Sequence, residues 1–327
     1  MIGLVYTQPI EEGLAYWLSS ADVLAQVEAI EASLRDLGHT SVRIPVTRDL
    51  KRFVKAVEDA EVHAAFNLCE SLDDDPFFVA HPAAVLELLG IPFTGSPSAA
   101  LQTTTDKHLM KLILRGAGLP TPKSFLYDGT VDTDPREMDF PVIIKPRSQD
   151  ASIGIDQDSV IEASAALPEA LTAFYEAYGP LLVEEYIDGR EFNVSLLGSP
   201  TPVVLPVAEI DFTTMPDHLH HIVGYRAKWE PDSIAYRETR RVFPQLDPPL
   251  AARLNTLATE CFQLFGLRDY GRVDLRMDKD GSLHVLEINA NPCLSPDAGF
   301  PAAAGQAGLD YTAMVAQMTT LLGDRRV

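Results

Sequence analysis

The stretch that most constrains this chain is GRVDLRMDKDGSLHVLEIN, Gly271 to Asn289. Asp280-Gly281 is a two-residue hairpin signal, and strand alternation on either side sorts the side chains onto two faces. Centred on that turn, Asp274 falls opposite Glu287 and Arg272 opposite Asn289. One face carries Arg272, Asp274, Arg276, Val285, Glu287 and Asn289. The other, with Val273, Leu275, Met277, His284, Leu286 and Ile288, reads as a core face. Two carboxylates directly opposed in a sheet repel each other. A divalent cation relieves that repulsion, with the Asn289 carbonyl as a third oxygen, and hard oxygen donors select Mg²⁺ or Mn²⁺ over Zn²⁺. A solvated polar face, or ion pairs to Arg272 and Arg276, is the competing reading. The spacing of Asp278-Lys279-Asp280-Gly281 is not that of an EF-hand loop.

The 327 residues suit two or three domains. Strand-like Met1–Tyr6, a helix built on Val23, Val27, Ile30 and Leu34, and strands 41–45 and 64–68 predict a parallel α/β unit that closes near residue 97. Thr103-Thr104-Thr105-Asp106 reads as capping for a helix 107–115. Strands follow at 140–145 and 181–187. Asp188-Gly189 reads as a second two-residue hairpin joining 181–187 to 190–197. Residues 210–249 are polar and read as a long functional loop region. Helices are expected at 82–89, 251–265 and 311–322. The predicted division is 1–97, 98–183 and 184–327.

With 47 acidic against 26 basic residues the formal charge is -21, which disfavours nucleic acid and anionic membranes as partners. No apolar run reaches the length of a membrane span. Cys69, Cys261 and Cys293 form neither a disulfide framework nor a zinc pattern, and no Lys or Arg precedes Arg35 as in a signal peptide. A cytoplasmic location is expected. P-loop, dinucleotide-binding, nucleophile-elbow and zincin motifs are absent from the sequence. The cationic candidates for a phosphate site are Lys145 at a strand end, Lys107 at a helix start, where a cation opposes the dipole, and Lys228 in the long loop. Glu184, Glu185 and Glu191 flank the Asp188-Gly189 pair.

The ordered set LELLGIPFTGS, TDKHLMKLILRGAGLPTP, FPVIIKP, LLVEEYIDGREFNV, RAKW, YGRVDLRMDKDG and HVLEINANP, from about Leu86 to Leu322, resembles the D-alanine–D-alanine ligase family of the ATP-grasp superfamily. The resemblance implies an α/β chain with α+β lobes: an ATP-grasp fold behind an N-terminal parallel-sheet, pre-ATP-grasp domain. It implies ATP between two lobes, with Lys107 and Lys145 on phosphates and Lys228 closing from its loop. Glu184 and the backbone of Tyr186 and Ile187 would read the adenine edge and Glu191 the ribose, and Leu286 is a further nucleotide-binding position. Asp274, Glu287 and Asn289 would hold two Mg²⁺ (or Mn²⁺). Arg272 would stabilise charge on the reacting carbonyl, and Ser152 would sit at the tip of a phosphate-covering loop 147–155. A homodimer acting on small amino-acid-like substrates is implied as well.

Several positions depart from the family pattern. Asp150-Ala151-Ser152 stands for Gly-Ser-Ser, Cys293 for Gly, Ala298-Gly299 for Ser-Leu and Trp229 for Tyr. Leu68-Cys69-Glu70-Ser71 replaces a His-Gly segment. Ala298 cannot donate to an acceptor carboxylate. Trp229, Cys293 and Ala298 are therefore expected to line an altered substrate pocket, with Cys293 as a lining thiol, not a nucleophile. His218, His220 and His221 are expected in a mobile substrate loop. The expected activity is an ADP-forming carboxylate–amine ligase working through an acyl phosphate. A housekeeping D-alanine–D-alanine ligase and a non-catalytic nucleotide-binding protein are the alternatives.

Overall fold

The computed structural model describes residues 1–130 and 138–323. The first unit is β1 (Ile2–Thr7), α1 (Trp17–Asp36), β2 (Ser41–Val46), α2 (Leu50–Asp59), β3 (Ala64–Leu68) and α3 (Ala80–Leu88). Its strands form a parallel sheet in the order β2-β1-β3. The middle strand is buried along its whole length because helices cover both faces, which is why MIGLVY is continuously apolar.

Next come α4 (Ser98–Thr105) and α5 (Lys107–Gly116). The threonines at 103–105 belong to α4, not to a cap. Asp106 alone caps α5, accepting from the Leu109 N–H at 3.1 Å. A small antiparallel lobe follows: β4 (Ser124–Tyr127), β5 (Val142–Pro146), β6 (Val160–Ile161), α6 (Leu167–Tyr178) and β7 (Leu181–Glu185), in the order β4-β7-β5-β6. Phe125, Val142, Ile144, Leu171 and Val183 form a core of its own under α6.

The last lobe contains β8 (Arg190–Leu197), β9 (Val203–Val204), β10 (Ala208–Asp211), α7 (Tyr225–Trp229), α8 (Ile234–Glu238), β11 (Arg240–Val242), α9 (Pro248–Leu264), β12 (Tyr270–Met277), β13 (Leu283–Asn289), α10 (Gly299–Gln306) and α11 (Tyr311–Gly323). Its sheet runs β11-β10-β8-β12-β13, with β9 on β8. The expected unbroken loop over 210–249 thus holds two short helices and two strand segments. Its polarity reflects a surface open on one side.

Two expectations about hairpins are corrected. Residues 181–185 and 190–197 do not pair with each other, since β7 lies between β4 and β5 while β8 lies between β10 and β12. Asp188-Gly189 is instead part of the link between two sheets. Glycine is needed there for close approach: a Cβ on Gly189 would lie 2.0 Å from the Met277 carbonyl oxygen. The β12–β13 hairpin does form, with Arg272 opposite Asn289 and Asp274 opposite Glu287 as expected. A bulge then shifts the register, so that Leu275 pairs with Val285 and Arg276 with His284. Val285 is consequently fully buried in the core, and Leu286 turns to the cleft beside Glu287.

Candidate active site

The three units enclose a cleft of about 1110 Å³. The expected catalytic, nucleotide, metal and substrate side chains line it except those of Tyr186 and Ile187, while Glu185 and the expected substrate-loop histidines His218, His220 and His221 lie outside its lining. A shallower hollow of about 460 Å³ beside α9, near Pro120 and Leu283, gathers none of them.

At the floor, Lys107 opens α5 and is buried, which its helix-start position makes unfavourable without an anion. The anions are Glu287 at 3.0 Å and Asp150 at 3.5 Å. Desolvation opposes the Lys107 charge, but these two carboxylates outweigh it and hold its proton more firmly than in an ordinary lysine. The Glu287 carboxyl is correspondingly lowered: desolvation works against its charge, and Lys107, Lys228 and Lys145 prevail. Asp274 accepts both arms of the Arg272 guanidinium, at 2.8 and 2.9 Å, and the Asn193 amide at 2.8 Å. Asp274 and Glu287 are thus cross-strand neighbours on the cleft face, each neutralised by a cation.

Sequence reasoning missed Lys111. It sits one turn after Lys107 on the inward stripe of α5 and is wholly buried. Its ammonium donates to the Val285 carbonyl at 3.0 Å and lies 2.8 Å from Glu184, though poorly aligned for a hydrogen bond. Lys145 pairs with the other Glu184 oxygen. Desolvation, countered in part by Glu184, pulls Lys111 down to about 8. The i, i+4 spacing from Lys107 is the one sequence signal that could have found it.

Residues 186–191 cross between the lobes. The Tyr186 N–H is used by the Pro141 carbonyl at 2.9 Å, and the Ile187 carbonyl by Arg276 at 3.2 Å. The Tyr186 carbonyl and the Ile187 N–H enter none of the described hydrogen bonds. Glu191 is buried and paired with Arg276.

Loop 147–155 and the 222–229 segment are laced together over the cleft. The Ser152 hydroxyl donates to the Val223 carbonyl at 2.7 Å, the Tyr225 N–H to Ile155 at 2.8 Å, and the Trp229 indole to Ala151 at 3.1 Å. Ala151, Ser152 and Gly154 all have positive φ, which bends the loop sharply. Trp229 is therefore a clasp on that loop as well as a lining residue. Lys228 faces the open cleft. Desolvation by the cleft walls and then the Arg272 charge lower its affinity for a proton.

At the far end the Cys293 thiol donates to Asp22 at 3.0 Å, and the Ser295 hydroxyl does so at 2.8 Å. Desolvation and nearby Glu70 and Asp22 hold Cys293 well above the ordinary thiol value, so it stays a neutral thiol. Ala298 is the N-cap of α10 and presents no side-chain cap. The histidine segment is packed: Arg276 binds the His221 carbonyl, His221 pairs with Asp188 at 3.0 Å, and the Gln157 side chain carbonyl accepts from the His220 N–H at 2.7 Å. Among the described residues no three His, Cys, Asp or Glu side chains converge as a metal cluster.

The family profile described as D-ala D-ala ligase C-terminus matches residues 123–320. The chain belongs to the D-alanine–D-alanine ligase family. It is an ATP-dependent ligase of the ATP-grasp kind, forming C–N bonds. A D-alanine–D-alanine ligase of Marinomonas is 34% identical over 245 residues, covering 74% of this chain and 73% of the relative. An uncharacterized protein of Sinorhizobium fredii is 33% identical over 296 residues, covering 88% and 84%. The crystal structure of the Bacillus anthracis D-alanine–D-alanine ligase complexed with ATP superposes with a TM-score of 0.77 at 22% identity, covering 99% of this chain and 98% of that one. That likeness establishes the ATP-grasp fold. No helix among the described residues is long and apolar enough to cross a membrane.

Proposed function

We propose that this ligase joins two amino-acid-like substrates other than a D-alanine pair, releasing ADP and phosphate. The observation that carries the reading is the cross-strand pair Asp274 and Glu287, sharing one cleft with Arg272, Lys107, Lys145 and Lys228. Asp274, Glu287 and the Asn289 side chain are hard oxygen donors. They would hold Mg²⁺, whose remaining ligands would be phosphate and water. The metal would supply charge neutralisation on the phosphates. Lys107 and Lys145 would bind phosphate oxygens, and Lys228 would join them from α7. The Tyr186 carbonyl and Ile187 N–H, unengaged among the described residues, offer an acceptor beside a donor, the complement of an adenine edge. Glu184 would act through the lysines it holds, and Leu286 would pack under the nucleotide.

A carboxylate resists attack by an amine. Transfer of the ATP γ-phosphoryl to it forms a P–O bond and releases ADP, leaving an acyl phosphate. The amine then attacks the carbonyl carbon and loses a proton, and inorganic phosphate departs with the C–O electron pair. Arg272 would stabilise the oxyanion formed in that attack, and loop 147–155, tipped by Ser152, would shield the acyl phosphate from water.

The substrate end supports amino-acid-like ligands. Asp22 and Glu70 line it without an ion-pair partner among the described residues. Arg241 lines it, and among the described residues its guanidinium is held only by the Asp297 main-chain carbonyl, at 2.8 Å. Unpaired carboxylates and an unpaired guanidinium in one cleft suit zwitterions. Ala298, Cys293 and Trp229 shape the rest of the pocket and favour an acceptor other than D-alanine. By the family resemblance the enzyme works as a cytoplasmic homodimer.

The test is a matrix of amino acids and amines assayed with Mg-ATP for ADP release, with product masses determined. Turnover of D-alanine alone as the best substrate would establish the housekeeping reaction instead. ATP binding with no stimulated ADP release would leave a nucleotide-binding protein. With an active pair in hand, Arg272→Ala is expected to lower kcat at least a hundredfold, since removing one oxyanion donor costs about 3–4 kcal/mol. ATP binding measured by calorimetry should persist, and full activity would refute the role.

A further inference from the structure

Arg276 is a buried guanidinium for which the reaction outlined above has no use. It is 3% exposed, yet it lies on the cleft face of β12, directly across from Glu191 of β8. Its Nη1 donates to the Ile187 carbonyl at 3.2 Å and to the His221 carbonyl at 3.0 Å. Its Nη2 donates to the His221 carbonyl at 2.9 Å and to Oε2 of Glu191. The guanidinium carbon sits 5.5 Å from the Phe212 ring centre. Three separate segments therefore meet on one side chain: the link between the lobes, the histidine loop and the carboxylate of β8.

Burying a guanidinium carries a desolvation cost that an apolar side chain of similar size would avoid, so its presence calls for a job beyond filling space. Two details indicate the job. The Arg276 Nε–H is buried and has no acceptor among the described residues, so the site is one acceptor short. Glu191 has only Oε2 engaged, and Oε1 has no hydrogen-bond or ion-pair partner among the described residues. One oxygen is pinned and the other is left unengaged on a residue that lines the cleft.

We propose that Arg276 is a positioning residue for the nucleotide. It fixes Glu191 by one oxygen so that the other meets the ribose hydroxyls, with the Ile187 and His221 carbonyls anchoring the guanidinium for that task. This rests on the ATP-site reading above. A carboxylate free to rotate would recognise the ribose less well, because its ordering would have to be met at binding.

The full-length protein, with Mg²⁺, is titrated by calorimetry with ADP, 2′-deoxyADP and 3′-deoxyADP. The wild type is expected to prefer ADP over at least one deoxy form by about tenfold, the worth of a hydrogen bond to a charged group. In Arg276→Met, ADP affinity should fall by about the same factor while deoxy affinity changes little, so that the preference collapses. Arg276→Lys should restore part of it, and kcat at saturating ATP should hold in both variants. A preserved ADP preference in Arg276→Met overturns the proposal. So does an equal loss for all three nucleotides, which would mark a purely structural clamp. A wild type that binds ADP without telling it from either deoxy form also overturns it. Failure of the wild type to bind any of the three would instead sink the ATP-site reading itself. Should Arg276→Met fail to fold by circular dichroism, Arg276→Lys and Glu191→Gln carry the same comparison, and an unchanged ADP preference in both overturns the proposal.

Discussion

Around the expected metal and nucleotide positions of this cleft most charges are answered before any ligand arrives. Lys107 meets Glu287, Arg272 meets Asp274, Arg276 meets Glu191, and Glu184 sits between Lys111 and Lys145. A triphosphate and its metal can exchange partners with such pairs without leaving a buried charge bare. Asp22, Arg241 and Lys228 line the cleft without an ion-pair partner among the described residues, and so does Glu70. Desolvation, with Asp22 and Asp150 adding and the Gln26 hydrogen bond opposing, pushes its carboxyl up to about 7. The native state then keeps a proton that the unfolded chain releases in the ordinary carboxylate range, so stability falls as pH rises through that interval toward 7 and stays lower above it. Glu70→Gln removes this slope. Urea unfolding at about pH 5 and about pH 8 should show the variant gaining on the wild type at the higher pH. An unchanged difference between the two would mean that Glu70 titrates normally. Of these residues the sequence disclosed the charged types and most of the strand positions. Which oxygen meets which nitrogen depends on chain segments more than 80 residues apart, as with Arg276 and Glu191.

Among elements, two Asp-Gly pairs carried the same local signal and met different fates. Asp280-Gly281 lies in a true hairpin connection, whereas Asp188-Gly189 carries the chain from one sheet to another. A turn signal reports only that the backbone can reverse. Whether the flanking strands pair depends on competing edges, and β5 and β12 offered better ones. The bulge in the β12–β13 ladder was equally invisible, since it changes no residue type yet sends Val285 into the core and Leu286 to the cleft. The cover over the cleft is held by few bonds, and each is testable. Trp229→Phe keeps the ring but loses the donor to Ala151, a net contribution of about 0.5–1.5 kcal/mol. The KM for ATP is expected to rise roughly two- to tenfold, with the thermal midpoint nearly unchanged. Steady-state kinetics and a melting curve decide it, and an unaltered KM would show that the clasp is idle.

Over the whole molecule, packing divides the chain differently from sequence order. Val5 and Ile44 of the first sheet, Met110 and Leu114 of α5, and Val194, Val273 and Ile288 of the last sheet share one continuous core. The lobe of β4, β5, β6 and β7 has its own small core under α6. It should therefore open more easily than the rest. In hydrogen exchange, the amides of β4 and β7 are expected to exchange before those of β1 and β12, and ADP with Mg²⁺ should slow the former and the 186–191 link most. Uniform exchange across both regions would contradict this division. The sequence alone determined the strongly periodic elements such as β1, α1, α5, α9 and β12, the pairing of Asp274 with Glu287 and the family, because these rest on periodicity, turn chemistry and ordered motifs that are local. The tertiary structure decided where Glu184, Lys111 and Arg276 find partners, because a buried charge is settled only by what distant segments bring within about 3 Å of it.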